Sequence, residues 1–409
     1  MRVYEYPQEM QEAVAREHRE GKTVGYVATM GFLHEGHLSL IERAKQETDL
    51  VVLSIFVNPT QFGPDEDFDE YPRDTERDLQ LAKDAGVDYV FTPTPETMYP
   101  TDAGIRILPG DMANVLCGAS RPTHFDGVLQ VILKLLNIVD PDRAYFGMKD
   151  VQQLAIVESF VRDYNFRTKI VRVPTYREED GLAKSSRNVH LTEKERQEAP
   201  ALYEALQHGE RALREGATVE EVERVAKNWI EKNTSGTVDY VSLLAYPQLT
   251  IPQKETETFV LACAVHFSKT SSLRVKEEVK MLRKFLNSQV AYVQLTERHI
   301  DSLEEYLLVD SEILEAAQIM PGEIAEVICP RTKERFSVVI AEGRAESRAV
   351  VAYGSLGGFL ELNDRLILRT YAYVESARAL THESIRCRVN EENEVIEASR
   401  HSLKWSMEQ

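Results

Sequence analysis

Hydrophobic and polar positions in the first 175 residues alternate between two periods. Residues 24–30 and 50–57 are short apolar runs, and the second is rich in β-branched residues, as in a strand buried on both faces. Residues 39–48 and 74–85 instead place apolar side chains at helical spacing. Further strands are predicted at 87–91, 142–146 and 169–174, and further helices at 128–138 and 151–163. This alternation predicts βαβ units and a Rossmann-like parallel sheet, with ligands at the carboxyl ends of the strands.

The pattern changes twice beyond residue 190. Residues 191–233 are helical and strongly charged, and strand-like segments follow at 238–243 and 258–265. Residues 267–277 are polar and carry neither period, which predicts a linker. Beyond residue 281, one helix is predicted at 310–317, with Asp310 or Ser311 as its N-cap. It stands among short strands at 290–295, 306–310, 323–329, 336–340, 349–353 and 365–373.

Several short strands separated by turn residues favour a small β-barrel. The predicted organisation is therefore an α/β Rossmann-like domain at 1–176, a small α+β domain at 177–267, a linker at 268–280 and a barrel at 281–409. A length of 409 residues agrees with two or three domains.

Charge and cysteine usage restrict the class of protein. The formal net charge of −19 repels phosphate backbones and anionic lipid, so nucleic acid and membrane surfaces are not expected as partners, although a locally basic pocket for a small anion is compatible with it. No apolar run approaches the roughly 18 residues of a membrane span, and the first residues show no signal peptide. The four cysteines form no CxxC pair, which favours buried free thiols in a reducing cytoplasm.

The first predicted strand ends in a loop with two glycines and two histidines. Residues 29–37 read TMGFLHEGH. Glycine lets a backbone approach a phosphate closely, and N–H groups at a helix start favour an anion. His34 and His37 can both donate to phosphate oxygens, and as cations they would offset negative charge on a transferred phosphate. A zinc site is disfavoured because the usual helical spacing is four and a third protein ligand is needed, while two ordinary solvated histidines remain an alternative.

Polar residues also follow two other predicted strands. Asn58 and Gln61 follow the buried strand, where their amides can orient hydroxyls and a carboxylate, although Asn58-Pro59 also favours a plain turn. Lys149 and Asp150 follow another strand end. Lysine suits a phosphate, and aspartate can reach a ribose hydroxyl or a metal, although such a pair is also common on a solvated surface.

A basic loop offers a second phosphate contact. Lys184-Ser185-Ser186-Arg187 supplies two cations and two hydroxyls. Such a loop can close over a nucleotide. A flexible charged linker is the alternative.

Six sequence blocks together resemble the pantoate–β-alanine ligase family. The loop at 29–37 is similar to the HIGH-type signature of class I nucleotidyl-transfer enzymes and, more closely, to the TMGxLHxGH of this family. The block DGLAKSSRN at 180–188 resembles the family's version of the KMSKS loop. The other matching blocks, in chain order, are SIFVNPTQF at 54–62, YPR at 71–73, HFDGV at 124–128 and FGMKDVQQ at 146–153. The resemblance covers about residues 1–266.

The resemblance implies a two-step ligation. The carboxylate of pantoate attacks the α-phosphate of ATP and pyrophosphate leaves; the amine of β-alanine then attacks the acyl adenylate and AMP leaves. Positioning and charge stabilisation dominate such chemistry, and Mg²⁺ is expected to accompany the triphosphate. A cytoplasmic homodimer or higher homo-oligomer is expected.

The resemblance also implies the site residues. Catalytic roles are implied for His34, His37, Lys149 and Arg187, with His37 as the proton donor, and Asp78 is a candidate acidic neighbour for the metal. Substrate contacts are implied for Asn58, Gln61, His124 and Gln153. ATP contacts are implied for Met30, Gly31, Phe32, Leu33, His34, Glu35, Gly36, His37, Gly147, Met148, Lys149, Asp150, Tyr176, Lys184, Ser185, Ser186 and Arg187. The family usually has Glu at the position of Met148, and Leu or Met at that of Lys184.

Residues 281–395 resemble aspartate α-decarboxylase, a double-ψ β-barrel that makes β-alanine. The similar segments are 311–319, 321–328, 333–340 and 362–374. That family makes a pyruvoyl group by self-cleavage at a Gly-Ser bond, but Glu305-Tyr306 stand at those positions here. Val338-Val339 replace a Thr-Tyr pair and Tyr353 replaces an Asn, whereas Arg335 is retained. The comparison predicts a barrel without a pyruvoyl group and without catalysis.

Three alternatives remain open from the sequence. The first is another nucleotidyltransferase of the same superfamily. The second is a bifunctional enzyme that also makes β-alanine from aspartate. In the third, the barrel is a binding or oligomerisation module that senses a metabolite of the coenzyme A pathway.

Overall fold

The chain forms two compact units. A computed structural model describes residues 1–64, 66, 68–101, 104–253, 256, 258–267, 274–375 and 382–402, with backbone only at 274–284, 375 and 402. The first unit comprises Met1–Glu210, Val222–Gln253 and Val260–Lys280; the second comprises Met281–Gln409 with Arg211–Glu221 and Lys254–Phe259. The longest segment of the second unit begins at Met281, and the predicted domain bounds stay predictions.

Six parallel strands form the main sheet of the first unit. They are β1 (Arg2–Tyr4), β2 (Val24–Thr29), β3 (Leu50–Ile55), β4 (Tyr89–Phe91), β5 (Arg143–Gly147) and β6 (Lys169–Val173). Their order is β1-β4-β3-β2-β5-β6, and every neighbouring pair is parallel. The predicted parallel sheet is therefore confirmed. The chain order reverses at β2, so the crevice between the carboxyl ends of β2 and β5 is the expected ligand position.

Helices cover both faces of this sheet. They are α1 (Pro7–Arg19), α2 (Glu35–Glu47), α3 (Thr75–Asp84), α4 (Pro95–Met98), α5 (Leu116–Ser120), α6 (His124–Val139) and α7 (Val151–Asp163). Alternate residues of β3 enter different cores: Leu50 and Val52 pack with α1, α6 and α7, whereas Val51 and Leu53 pack with α2 and α3. Burial on both faces explains the continuous apolar run of this strand.

The rest of the first unit is smaller. Helices α8 (Glu193–Glu198), α9 (Ala201–Arg214) and α10 (Val219–Asn233) confirm the charged helical region, and β7 (Thr237–Ala245) pairs with β8 (Thr258–His266). None of the helices in the described part of the chain is both long and apolar enough to cross a membrane. All four cysteines are buried and form no disulfide, as predicted.

The second unit is a mixed sheet with two short helices. Its elements are β9 (Arg274–Gln294), whose residues up to Lys280 are counted in the first unit, β10 (Glu297–His299), β11 (Tyr306–Asp310), α11 (Ser311–Ala317), β12 (Ile324–Ile328), β13 (Arg335–Gly343), β14 (Val350–Tyr353), α12 (Ser355–Phe359), β15 (Arg365–Glu375), β16 (Glu383–Val389) and β17 (Val395–Ser402). Pairs β10–β14, β11–β13 and β9–β16 are parallel, and the others along the sheet are antiparallel. Asp310 caps α11 by accepting from the backbone N–H of Glu312 at 2.8 Å. This architecture is consistent with the predicted barrel-like fold.

The predicted linker at 268–280 requires a correction. Residues 268–273 lie outside the described residues, but 274–280 belong to strand β9. Strands pair through main-chain groups, and the mostly polar sequence of this segment shows no hydrophobic period that would reveal a strand.

Candidate functional site

A cavity of about 240 Å³ opens at the carboxyl ends of β2, β3, β5 and β6, within the first unit. It lies at the reversal of strand order, as the sheet topology predicts. The predicted residues that line it are Met30, His34, Gly36, His37, Asn58, Gln61, His124, Gly147, Lys149, Asp150, Gln153, Tyr176, Lys184, Ser185, Ser186 and Arg187. Six others (Gly31, Phe32, Leu33, Glu35, Met148 and Asp78) are not among the lining residues.

The two histidines stack at the start of α2. Their ring centroids are 4.0 Å apart, with an interplanar angle of 29°. Nδ1 of His34 accepts from the backbone N–H of Gly36 at 3.1 Å, and Nδ1 of His37 accepts from that of His34 at 3.3 Å. Because both Nδ1 atoms accept, each neutral imidazole carries its proton on Nε2. Backbone contacts therefore turn both rings into Nε2–H donors.

Burial keeps these imidazoles neutral. It lowers the pKa of His34 to about 4, and the charge of Lys149 adds to the shift. Burial also lowers the pKa of His37 well below its usual value, with His34 and Lys149 as lesser causes. Both shifts favour uncharged rings at neutral pH, because a charged ring loses its hydration when it is buried. The role of the two rings at a transferred phosphate stays a prediction.

Asp78 holds the loop before His34 and does not face the cavity. Its carboxylate accepts from the backbone N–H groups of Phe32 and Leu33, and its side chain is only 1% exposed. The prediction of an acidic neighbour for a metal in the cavity is therefore corrected. The N–H groups of Phe32 and Leu33 already donate to Asp78, and the ATP contacts implied for these two residues stay a prediction.

Asn58 has a structural position. Its Nδ2 donates to the carbonyl of Gly127 and to Oε1 of Gln61, both at 3.2 Å, while its Oδ1 accepts from the Tyr99 hydroxyl at 2.9 Å. These contacts engage the amide within the protein and support Gln61, while Asn58 also lines the cavity, so its substrate contact stays a prediction. A Cβ at Gly127 would lie 2.2 Å from the carbonyl oxygen of Thr60, so only glycine lets α6 approach this turn.

Arg121 lines the cavity but was missed in the sequence. Its Nη1 donates to Nε2 of His124 at 3.1 Å, and Nδ1 of His124 donates to the carbonyl of Gln61 at 2.8 Å. Its Nε donates to Oε1 of Glu66 at 2.7 Å, and its Nη2 donates to the other carboxylate oxygen. The sequence feature that could have identified it is a cation three residues before the HFDGV block, which leads into a predicted helix.

Further cations give the cavity a basic character despite the net charge of −19. Lys149 contacts Asp150 at 3.1 Å, and Lys184 contacts Glu35 at 3.3 Å. The guanidinium of Arg187 lies 5.6 Å from the ring centroid of Tyr71. The locally basic pocket that the charge balance left open is therefore present, and it suits a polyanion.

The first turn of the basic loop is ordered by a serine. Ser185 Oγ accepts from the backbone N–H of Arg187 at 3.3 Å, at the start of the 3-10 turn Ser186–His190. Among the described residues, no three His, Cys, Asp or Glu side chains form a metal-binding group. Asp150 is the only carboxylate among the described residues that line the cavity.

In the second unit, Tyr306 stands where the decarboxylase family has the serine of its cleavage site, and its ring belongs to an aromatic stack. The ring of Tyr306 lies 4.3 Å from that of Tyr353, which in turn lies 4.7 Å from that of His299. The retained Arg335 donates to Oε1 of Glu326 at 3.3 Å, and the Tyr371 hydroxyl donates to the other oxygen at 2.8 Å. The retained cation is thus paired with a carboxylate of its own unit.

Comparisons with known families assign both parts of the chain. Residues 2–274 match the family described as pantoate-beta-alanine ligase, and residues 281–396 match the family described as aspartate decarboxylase. The pantothenate synthetase of Lysinibacillus sphaericus is 57% identical over 249 residues, which is 61% of this chain and 88% of that protein. The one from Geobacillus kaustophilus is 54% identical over 260 residues, or 63% of this chain and 87% of that protein.

Solved structures agree with these relatives. Pantothenate synthetase from Thermus thermophilus is 42% identical, with a TM-score of 0.63 over 68% of this chain and 98% of that one. The pantoate-beta-alanine ligase of Francisella tularensis, solved with beta-gamma ATP and beta-alanine, is 34% identical, with a TM-score of 0.55 over 68% of this chain and 97% of that one.

Proposed function

Because the chain belongs to the pantoate–β-alanine ligase family, we propose that it joins pantoate to β-alanine in two steps, through a pantoyl adenylate. The observation that carries the proposal is the stacked pair His34 and His37 beside Lys149, in the crevice where the strand order reverses. Neutral donors and a cation converge there on one small volume, which suits a phosphate at which negative charge develops.

In the first step the pantoate carboxylate attacks the α-phosphorus of ATP. The new carboxyl–phosphorus bond forms as the bond to the β-phosphate oxygen breaks, and pyrophosphate leaves. The Nε2–H groups of His34 and His37 donate to the oxygens of the transferred phosphate, while Lys149, Lys184 and Arg187 offset its charge. Gln61 and Gln153 orient pantoate without adding a charge that would compete with the phosphate.

In the second step the amine of β-alanine attacks the acyl carbon, and AMP leaves with the bonding electrons. The protein contributes mainly orientation, because the adenylate is already activated. Mg²⁺ is assigned to the triphosphate rather than to a protein cage. A single lining carboxylate, Asp150, suits an ion that arrives with substrate phosphates.

We infer that the second unit is not catalytic. Tyr306 offers no hydroxyl that can reach its own carbonyl carbon as a serine can, and Glu305 lacks the backbone freedom of glycine. The pairing of Arg335 with Glu326 supports this inference, because a substrate carboxylate would have to displace an existing partner. We infer that this unit serves binding or assembly within a homo-oligomer. Buried cysteines without a disulfide support a reducing cytoplasm as the compartment.

The test is AMP release by the purified chain with ATP, Mg²⁺, pantoate and β-alanine, omitting each in turn. We expect release to require all four. The H37A variant should adenylate about 10²–10³-fold more slowly, because it lacks one donor to the transferred phosphate.

Three results would contradict parts of the proposal. An unrelated acid that replaces pantoate at an equal rate would remove the pantoate assignment. A stable nucleotide-containing product, found by mass spectrometry in place of AMP and an amide, would indicate another nucleotidyltransferase. Near-normal turnover of H37A would remove the role assigned to that ring.

A further inference from the structure

The loop that precedes His34 has an unusual backbone. Gly31 and Phe32 both have positive φ, at +86° and +50°. Phe32 is not glycine, so the surrounding structure has to hold it in the left-handed region. Consecutive residues in such turn conformations point their N–H groups into one concavity, which is a common anion-binding arrangement.

A carboxylate of the protein fills this concavity. Asp78 lies on α3, and its Oδ2 accepts from the N–H of Phe32 at 2.6 Å while its Oδ1 accepts from that of Leu33 at 2.7 Å. A Cβ at Gly31 would stand 2.9 Å from Oδ2 of Asp78, so glycine is required for the approach. Leu33 itself is fully buried, which fixes the loop from its other side.

The neighbouring Arg77 completes the contact. Its Nη1 donates to the carbonyl of Leu33 at 3.0 Å, and its guanidinium lies 5.4 Å from the centroid of the Phe32 ring. Arg77 and Asp78 together contact the backbone N–H groups of Phe32 and Leu33, the Leu33 carbonyl and the Phe32 ring. The next residue is His34, the N-cap of α2.

We infer that Asp78, assisted by Arg77, is a positioning residue for adenylation. Asp78 is not among the residues that line the cavity, and its effect passes through the backbone of Phe32 and Leu33 to the paired imidazoles. The inference rests on the proposed role of His34 and His37 in the first step. Helix α3 would thus have a role in catalysis that the sequence blocks alone did not indicate.

The ionised carboxylate matters because both of its oxygens accept. An asparagine of the same shape has only one acceptor oxygen. Its NH₂ group would face the second backbone N–H, so that two donors meet without an acceptor. D78N therefore opposes the loop conformation at constant volume. Misplacement of catalytic groups by about 1 Å can cost about 10²-fold in rate.

The experiment measures pantoate-dependent exchange of pyrophosphate into ATP, which reports the first step alone. We expect D78N to lower kcat for exchange by about 10- to 100-fold, with the KM for ATP and for pantoate changed far less than kcat. R77M, which removes the Leu33 and Phe32 contacts and the 3.8 Å ion pair with Asp78, should cause a smaller loss of the same kind.

The matched control is D74A on the same helix. Asp74 is the N-cap of α3 and accepts from the N–H of Arg77 at 3.1 Å, so its loss destabilises the helix without contacting the loop. We expect D74A to lower Tm by about 2–4 °C and to retain the exchange rate of the wild type at a temperature where it is folded.

Each outcome decides the inference. If folded D78N exchanges pyrophosphate at a rate within about threefold of wild type, the inference is wrong. It is also wrong if D78N and D74A lose the same exchange rate at matched stability, because such equal losses indicate a merely structural role. If D78N does not fold, R77M with an unchanged kcat overturns it. A wild-type chain that forms AMP without exchange would contradict the adenylate step instead, and the variants are then compared on AMP formation.

Discussion

The imidazoles of His34 and His37 stack against each other where burial and Lys149 both oppose a positive charge. The sequence was sufficient to identify them, because two histidines and two glycines between a strand and a helix indicate phosphate chemistry. Their charge could not be predicted, because burial is a property of the folded chain. The same limit applies to Asp78, which does not line the cavity, and to Asn58, which lines it while its amide is held by contacts within the protein.

The pKa of His34 predicts a pH dependence of stability. Its pKa of about 4 in the folded chain lies below the ordinary 6.5, so the unfolded chain binds more protons between these values. The free energy of unfolding therefore falls as pH falls through this window, by up to about 3 kcal/mol for this group. We expect H34N, which keeps an N-cap acceptor for the Gly36 N–H, to lose less stability than wild type when pH drops from 6.5 to 4.5. Denaturant unfolding at several pH values measures this, and parallel losses in both proteins would contradict it.

Helices and strands with a clear hydrophobic period were predicted from the sequence, whereas elements in mostly polar segments were missed. Helix α7 and strand β11 were predicted with their observed bounds. Strand β1 and helix α1 were missed: the helix buries Met10, Ala13 and Val14 within an otherwise polar sequence. The first residues of β9 were taken for a linker, since main-chain pairing leaves no mark on a polar segment.

The basic loop is connected to α2 by a side chain that departs from the family. Lys184, which stands where Leu or Met is usual, contacts Glu35 in the first turn of α2 and also lines the cavity. We expect K184M to raise the KM for ATP by about two- to fivefold with little change in kcat, because one cation facing the triphosphate is lost. The difference should shrink in 0.5 M salt, a condition chosen to be about three times physiological ionic strength.

Lys194 provides the control for this change. It lies on α8, is 74% exposed, and contacts Glu198 on its own helix. K194M removes the same charge from the chain without changing the cavity. An equal rise in KM in both variants would show that net charge, rather than the position of Lys184, determines ATP affinity.

For the whole molecule, the sequence indicated both families and the boundary between them, because six blocks and four segments occur in the expected order. It also indicated which group the second unit lacks, since Glu305 and Tyr306 are visible without a structure. It did not indicate that Tyr306, Tyr353 and His299 stack there, or that Arg335 already has a partner. Those facts depend on pairing between strands that are distant in sequence.

The whole chain should remain intact. Because Tyr306 cannot perform the acyl shift of a serine, intact-mass spectrometry of the purified protein should show one species at 46.6 kDa, with no loss of mass from pyruvoyl formation. Incubation with aspartate should yield no β-alanine. A C-terminal fragment that begins at residue 306 with a blocked N-terminus, or β-alanine made from aspartate, would instead indicate a bifunctional enzyme.

The internal carboxylate beneath the histidine loop has a consequence for inhibitor chemistry. A phosphate mimic cannot recruit the N–H groups of Phe32 and Leu33, because Asp78 already accepts from them. It meets the Nε2–H donors of His34 and His37 instead, with the charge of Lys149 close to both rings. A phosphate mimic at this position therefore needs acceptor oxygens placed for these two donors, together with the negative charge that the cation favours.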